Sequence, residues 1–382
     1  MIRDMIRIFK KNLKIDRSIK FFTLPSYYFK ITKIKECNKP RFYIMLDLLE
    51  LFFSYKTFPD HYGPCRLWEI EKSEWKYYYG SNYQTYQMSK LLATVQPWEY
   101  VIIFHDKAVC DILCKGIGVN LPKMYGMISP DQNYKEIIKS WFQNFAIDSL
   151  IIKPLKGAQG LGIVLAIKIN DNIFIKSKSG LTPLQVFDLS EPSIAQELIK
   201  QDRRMSVFSS SAVNSLRVVT MYTKSESIII LSAAMLCGVN DSYISNWSAG
   251  GVIVGIDSET GQLKKYAYDK KGNKYDKHPT SKEKFQDFII PQWKSVIEVA
   301  KKIQKAMPCY RILGMDIALQ ENGEPIVIEI NDNPDLLMME QTNGPMFRIE
   351  QNLKAFGEYN LFFNKHQKEL YRNLIIEKLE NN

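Results

Sequence analysis

The sequence predicts an α+β protein, and three observations predict it. β-rich runs crowd the segment from Leu150 to Ile330, separated by glycine, Asn-Asp or serine-rich punctuation. Helical periodicity dominates residues 1–60 and 345–382. Between those ends, strands and helices mix without strict alternation, which argues against a doubly wound sheet.

Taken in order, residues 1–60 read as helical with breaks, ending near Phe58 and Pro59. Trp68 to Lys90 is aromatic and polar, with helical spacing in places. Val101 to Phe104 reads as a short strand. A helix then opens at Asp106 and Lys107 and stops at Lys115 and Gly116, glycine standing in the stop position. The β-rich runs are Leu150 to Lys153, Ile163 to Ile169, Ile173 to Ile175, Ile194 to Ile199, Leu216 to Thr223 and Ile228 to Cys237. Val252 to Asp257 and Leu263 to Tyr268 flank a hairpin turn at Glu259, Thr260 and Gly261. Phe285, Phe288, Ile289, Val296, Ile297, Ala300 and Ile303 mark a helix that Pro291 can start or kink. Ile312 to Gln320 and Ile326 to Ile330 form a last hairpin.

Composition narrows the function classes. With 382 residues, 46% of them hydrophobic, the chain can build two or three packed units. The longest uncharged apolar stretch, Ser227 to Val239, is too short to cross a bilayer, and the N-terminus lacks the apolar core of a signal peptide. Six cysteines without a CxxC pair and four dispersed histidines exclude an obvious zinc cluster. Reduced thiols and a cytoplasmic location are the expectation. Of the net charge of +10, a balance of +8 lies in residues 1–40, where eleven Lys or Arg face three acids. Such an arm, interleaved with Ile, Phe and Tyr, suits an anionic lipid surface or an acidic polymer; the bland alternative is a solvated helical extension. The near-neutral body and the absence of a known motif argue against nucleic-acid binding.

The chemistry concentrates in Gly314 to Asn331. Asn322-Gly323 signals a two-residue type I′ turn pairing Glu321 with Glu324. Counting outward, Asp316 then opposes Glu329, and the two-residue period puts Asn331 on the same face as Glu329. Two carboxylates directly opposed, with few cations nearby in sequence, repel unless a divalent cation lies between them. An oxygen-only set suits Mg²⁺. A hydrated pair on an exposed edge is the bland alternative. A glycosidase pair is a rival use that Asn331 fits poorly. Upstream, Lys153, Lys156, Gly157, Gly160 and Gly162 make a glycine-rich link between two strands, suited to closing over phosphates or equally to an ordinary turn.

In this order the residues resemble the ATP-grasp superfamily over roughly residues 100–345. Lys123, then Lys153 before the glycine link, then Ala195, Gln196, Glu197, Leu198 and Ile199, then Asp316, Glu329 and Asn331 carry the likeness. Asn214 to Thr220 and Asn246 to Asp257 look most like the sugar-transfer-associated branch, linked to bacterial surface-polysaccharide synthesis. The resemblance implies two α+β lobes gripping ATP, preceded by the basic helical extension. It divides the chain into that extension (1–60), an acceptor-side region (61–125), the ATP-grasp domain (126–345) and C-terminal helices (346–382).

By the same resemblance, Lys123 and Lys153 contact the α- and β-phosphates, and Gln196, Glu197, Leu198 and Ile199 take the adenine edge. Asp202 bonds the ribose, and Asp316, Glu329 and Asn331 bridge Mg²⁺ to the phosphates. Arg217, inside an apolar β run, needs an anionic partner, either a phosphate or a structural carboxylate. Many members carry an arginine two residues before the first metal aspartate, where this chain has Gly314. Arg217 and then Arg311 are the candidates to act on the transferred phosphoryl group. The implied activity is a carboxylate–amine ligase working through an acyl-phosphate, with a small carboxylate and an amine such as an amino acid and a sugar or glycan as substrates. A kinase on the same scaffold and a non-catalytic membrane- or polyanion-binding protein are the alternatives. Contact with the inner face of a membrane through residues 1–40 stays open.

Overall fold

The computed structural model describes residues 20–380 apart from 35, 56–57, 81–84, 157–160, 178–179, 241, 243–244, 246 and 248–249. Two helices open the described chain, α1 over residues 20–31 and α2 over Arg41–Ser54. They share a small core of their own, in which Leu24, Ile31, Ile44, Leu48 and Leu51 meet Trp75 and Leu337. After α3 (Thr85–Thr94), residues 102–105 form a single helical turn, α4 (Ile102–His105), where the sequence predicts a strand. Four apolar residues cannot be told apart as helix or strand by pattern. Here Phe104 turns inward onto the Tyr310 ring, 4.6 Å away. Asp106 then caps α5 (Lys107–Gly116) by accepting from the N–H groups of Ala108 and Val109, as expected of an N-cap aspartate.

Two antiparallel sheets follow. The first has six strands in the order β1-β6-β2-β3-β4-β5: β1 Met124–Ile128, β2 Ser149–Pro154, β3 Val164–Ile169, β4 Asn172–Ser177, β5 Gly180–Pro183 and β6 Ser193–Glu197. Helix α6 (Tyr134–Asn144) covers one face, packing Ile138 and Trp141 against Leu150, Ile152 and Ala166. The opposite face carries Ile151, Lys153, Leu165 and Lys176, all half-buried.

The second sheet has seven strands in the order β11-β10-β9-β8-β7-β12-β13. They are β7 Ser215–Tyr222, β8 Ile228–Cys237, β9 Val252–Ile256, β10 Leu263–Tyr268, β11 Lys274–Tyr275, β12 Ile312–Leu319 and β13 Pro325–Asn331. Both faces are covered. Helix α7 (Trp293–Ala306) lies on one, and α8 (Leu336–Asn343), α9 (Glu350–Glu358) and α10 (Lys365–Glu380) lie towards the other. This burial explains why β12 is apolar or small at nearly every position. The helix expected from Phe285 begins only at Trp293, after Pro291. Phe285 instead stacks on Phe208 with centroids 5.3 Å apart.

The last hairpin differs from its predicted turn in an instructive way. Gln320 donates to the Glu324 carbonyl at 3.0 Å, and Gly323, at φ +85, donates back to Gln320 at 2.8 Å. The turn therefore encloses three residues, not two. Leu319 faces Pro325 and Ile317 faces Val327, one step off the predicted register. A bulge between Ile317 and Asp316 then restores it, so Asp316 faces Glu329 and Gly314 faces Asn331. The opposition of the carboxylates is as predicted, although the turn that suggested it is not.

Candidate active site

The site grows from three adjacent strands. Asp316 on β12 lies directly opposite Glu329 on β13 and, on its other side, opposite Arg217 on β7. Arg217 takes both oxygens of Asp316: Nε donates to Oδ1, and Nη2 to Oδ2 at 2.7 Å. The two side chains are each about 11% exposed, so this bidentate pair is largely removed from water. The anionic partner that Arg217 needs is thus a structural carboxylate in this state, and it is a member of the acidic pair itself. The repulsion expected between Asp316 and Glu329 is offset by a cation 99 residues away in sequence.

Gly314 stands where the resemblance expects an arginine, and the packing leaves no room there for a side chain. A Cβ at position 314 would stand 2.5 Å from Cβ of Pro334 and 3.5 Å from Cδ of Arg217. Pro334 excludes a side chain there, and the stem of Arg217 lies alongside in ordinary contact. The cation reaches Asp316 from the neighbouring strand.

Facing this row across the interface between the sheets is Lys153 on β2. Burial, reinforced by the like charge of Lys107, pushes its ammonium down from 10.5 to about 8, while Glu329 and Asp316 pull the other way. Glu329 shows the complementary shift. Burial and the neighbouring Asp316 push its carboxyl up, against the pull of Lys107, Arg217 and Lys153. Two carboxylates and three cations therefore share one electrostatic field. Lys107 is the member that sequence reasoning missed. Its signal was legible: it is the first residue of α5, where the positive end of the helix dipole disfavours a cation unless an anion lies nearby.

A shallow cleft, partly open to solvent, lies beside this cluster between β6 and β13. Phe104, Lys107, Leu121, Gln196, Ile328 and Glu329 are among its walls. Gln196 is buried on β6, whereas Glu197 is exposed and its N–H donates to the Lys123 carbonyl at 2.8 Å. Leu198 and Ile199, half-buried, then leave the first sheet. The chain reaches the second sheet at once, Glu321 donating to the Lys200 carbonyl at 2.9 Å and Asp202 to that of Leu319 at 2.9 Å. Residues 198–202 are therefore the covalent link between the two sheets at the end of the cleft.

The other expected residues are placed as follows. Asn331 shares the face of Glu329, its Nδ2 lying 3.5 Å from the Gly314 carbonyl. Gly162 has φ +71, and a Cβ there would stand 2.7 Å from Cγ of Pro154, so glycine is required twice over. Gly157 and Gly160 lie outside the described residues, as does most of the loop from Ser245 to Ala249. Lys123 is exposed, its ammonium 4.6 Å from the centre of the Phe145 ring. Asp202 is engaged by Arg204, whose Nε and Nη2 take its oxygens at 3.0 and 2.5 Å. Arg311 is not brought to the cluster. It begins the approach to β12, about 17 Å along the strand from Asp316, with its guanidinium over the rings of Tyr222 and Tyr359.

The donor set accommodates Mg²⁺ with help from a ligand. Among the described residues no group of three His, Cys, Asp or Glu is placed to hold a metal ion. Asp316, Glu329 and Asn331 offer only oxygen donors, and each Asp316 oxygen keeps a lone pair beyond the one Arg217 uses. Mg²⁺ is commonly held in this manner, by one or two carboxylates with substrate phosphates and water completing the shell.

Residues 86–356 match the family described as sugar-transfer associated ATP-grasp. A search of curated protein sequences found no match. Among solved structures, the chain is similar to N5-carboxyaminoimidazole ribonucleotide synthetase from Thermotoga maritima at 14% identity, over 69% of this chain and 52% of that one, with a TM-score of 0.39. It spans about half the length of that synthetase. It is similar to D-alanine–D-alanine ligase from Bacillus anthracis at 12% identity, over 73% of this chain and 72% of that one, with a TM-score of 0.39. The corresponding values for phosphoribosylamine–glycine ligase from Thermotoga maritima are 12%, 70%, 57% and 0.42.

Proposed function

Because the chain belongs to the sugar-transfer associated ATP-grasp family, we propose that it is an ATP-dependent ligase joining a carboxylate to an amine through an acyl-phosphate. Its setting in this reading is the synthesis or modification of a bacterial surface polysaccharide, with a small carboxylate and an amine on an amino acid, sugar or glycan as substrates. The observation that carries the reading is the convergence of Asp316, Glu329, Lys153, Lys107 and Arg217 beside a cleft between two sheets.

In this reading Gln196 to Ile199 hold the adenine edge at the link between the sheets. Lys153 and Lys107 take phosphate oxygens, with Lys123 approaching from the start of β1. Asp202 as a ribose ligand would first have to exchange its bonds with Arg204. Asp316, Glu329 and Asn331 would hold Mg²⁺, which would supply positive charge to the phosphoryl oxygens. Arg217, locked on Asp316, holds its cationic head at the same point as the metal ligands. It stabilises the charge that develops on the γ-phosphoryl group as the substrate carboxylate attacks. No nucleophilic side chain is needed.

Hydroxylamine tests the chemistry. With ATP, Mg²⁺ and candidate carboxylates, the enzyme should yield ADP and a hydroxamate trapped from the acyl-phosphate. AMP with pyrophosphate would mean adenylation and sink the acyl-phosphate route. A stable phosphorylated alcohol without hydroxamate would identify a kinase.

Lys153 gives a second expected result. Burial holds its ammonium down at about 8, and a bound phosphate favours the charged form. ATP affinity should therefore fall as pH rises above 8, and binding should take up protons there. Calorimetry at pH 8.5 in two buffers of different ionisation enthalpy reads this uptake, and Lys153→Met should abolish it. The sign for stability is the reverse. The unfolded lysine binds more protons between the two pKa values, so the nucleotide-free fold gains stability as pH rises from 8 towards the usual lysine range. Proton uptake unchanged in Lys153→Met would remove Lys153 from the phosphate site.

A further inference from the structure

Helix α2 carries two apolar stripes where a surface helix needs one. Ile44, Leu48, Leu51 and Phe52 face the core. Phe42, Met45, Leu46 and Phe53, at helical spacing on the other side, are exposed, Phe42 and Phe53 by about 60%. Helix α1 adds Phe21, Phe22 and Phe29, with Phe22 80% exposed. The two helices form one surface, since the Phe21 ring lies 5.6 Å from that of Phe52 and 5.9 Å from that of Phe53. A run of large apolar side chains this dense is uncommon on a solvated surface and marks a contact.

Charge selects the occupant. The segment leading into and through α1 has eleven Lys or Arg against three acids over residues 1–40, and Lys30, Lys33 and Arg41 are exposed around the apolar side chains. A second copy would bring the same excess of positive charge against itself. An anionic lipid surface offers hydrocarbon for the phenyl rings and phosphate for the cations together. Helix α2, at 14 residues, is about 21 Å long and cannot cross the bilayer core. No helix among the described residues is long and apolar enough to cross a membrane.

We propose that α1 and α2 form an interfacial anchor that lies in the surface of an anionic phospholipid membrane through Phe22, Phe42, Met45, Leu46 and Phe53. The anchor packs on the catalytic body at Leu337, in the helix that follows β13. The body that carries the cleft is therefore tied to the bilayer surface through this packing. This inference does not depend on which bond the enzyme makes.

The test is sedimentation of the full chain with vesicles of phosphatidylcholine alone or with a minor fraction of phosphatidylglycerol, near physiological salt. The wild type should bind the anionic vesicles at least about tenfold more tightly than the neutral ones. Phe22→Asp/Phe53→Asp should lose about tenfold or more of that binding, since it removes two rings from the hydrocarbon and sets two carboxylates against anionic lipid. Phe42→Ser is a milder companion variant, and an unchanged melting temperature in either shows that folding survives. Failure of the wild type to sediment with anionic vesicles would overturn the proposal, as would equal binding to both vesicle types. A wild-type dimer in light scattering that Phe22→Asp/Phe53→Asp makes monomeric would assign the surface to a second copy instead.

Discussion

Glu329→Gln should reduce ATP turnover by about 10²–10³-fold while leaving the nucleotide-free fold as stable as the wild type or more so. The two halves of this expectation have different causes. Burial and the facing Asp316 raise the carboxyl of Glu329, so its ionised form is costly unless a further cation joins it, and an amide of the same shape removes that cost. The amide also removes one of two carboxylates available to a metal, and with it the charge that binds Mg²⁺. Saturating Mg·ADP at about 100 times its Kd should stabilise the wild type by about 2.7 kcal/mol, which is about 3 °C for a chain of this size. Glu329→Gln should lose that rise. A variant that melts like the wild type and keeps the full nucleotide shift would remove Glu329 from the metal site. Asp316→Asn should lose activity similarly but also lose stability, because it strips Arg217 of its ionic partner.

Arg217→Met should destabilise the protein by about 3–5 kcal/mol, the usual consequence of leaving one member of a buried ion pair alone. Both partners are about 11% exposed, so solvent compensates little. Replacing the two together, as Arg217→Met with Asp316→Leu, should recover most of the loss, because an apolar pair of similar volume needs no desolvation. Denaturant unfolding of the wild type, both single variants and the double variant measures the coupling directly. Additive effects would show that the pair is screened and structurally idle. Kinetically, Arg217→Met should lower turnover by about 10²–10³-fold with a smaller effect on nucleotide affinity, if its cation acts on charge that develops in the transition state. Equal losses in affinity and turnover would make it a ground-state ligand.

Lys107, Lys153, Asp316 and Glu329 illustrate how far sequence reading reached. The facing of the two carboxylates was expected from a hairpin count, and it holds because a bulge beside Asp316 offsets the longer turn; Lys153 was singled out by its place before the glycine link and by the resemblance. Lys107 was legible only as an anomaly, a cation at the wrong end of a helix, and nothing local named the anions it faces. Arg311 is placed away from the cluster for a related reason. Its proximity to Asp316 in sequence becomes about 17 Å of extended strand, while Arg217 arrives from a different strand of the sheet.

The hairpin from Ile312 to Asn331 separates the two kinds of information most clearly. Alternation, the Asn322-Gly323 turn signal and the acidic positions lie within twenty residues, so the chain itself determined a hairpin presenting Asp316, Glu329 and Asn331 together. The three-residue turn, the compensating bulge and the requirement for glycine at 314 were decided by tertiary packing, the last by Pro334. The same division holds for α4, where four apolar residues fit helix or strand equally until Phe104 meets Tyr310. Local periodicity and turn chemistry act over a few residues and are written in order along the chain. Steric room, ion-pair partners and the shifts of Lys153 and Glu329 depend on groups far apart in sequence, and they exist only once the two sheets have met.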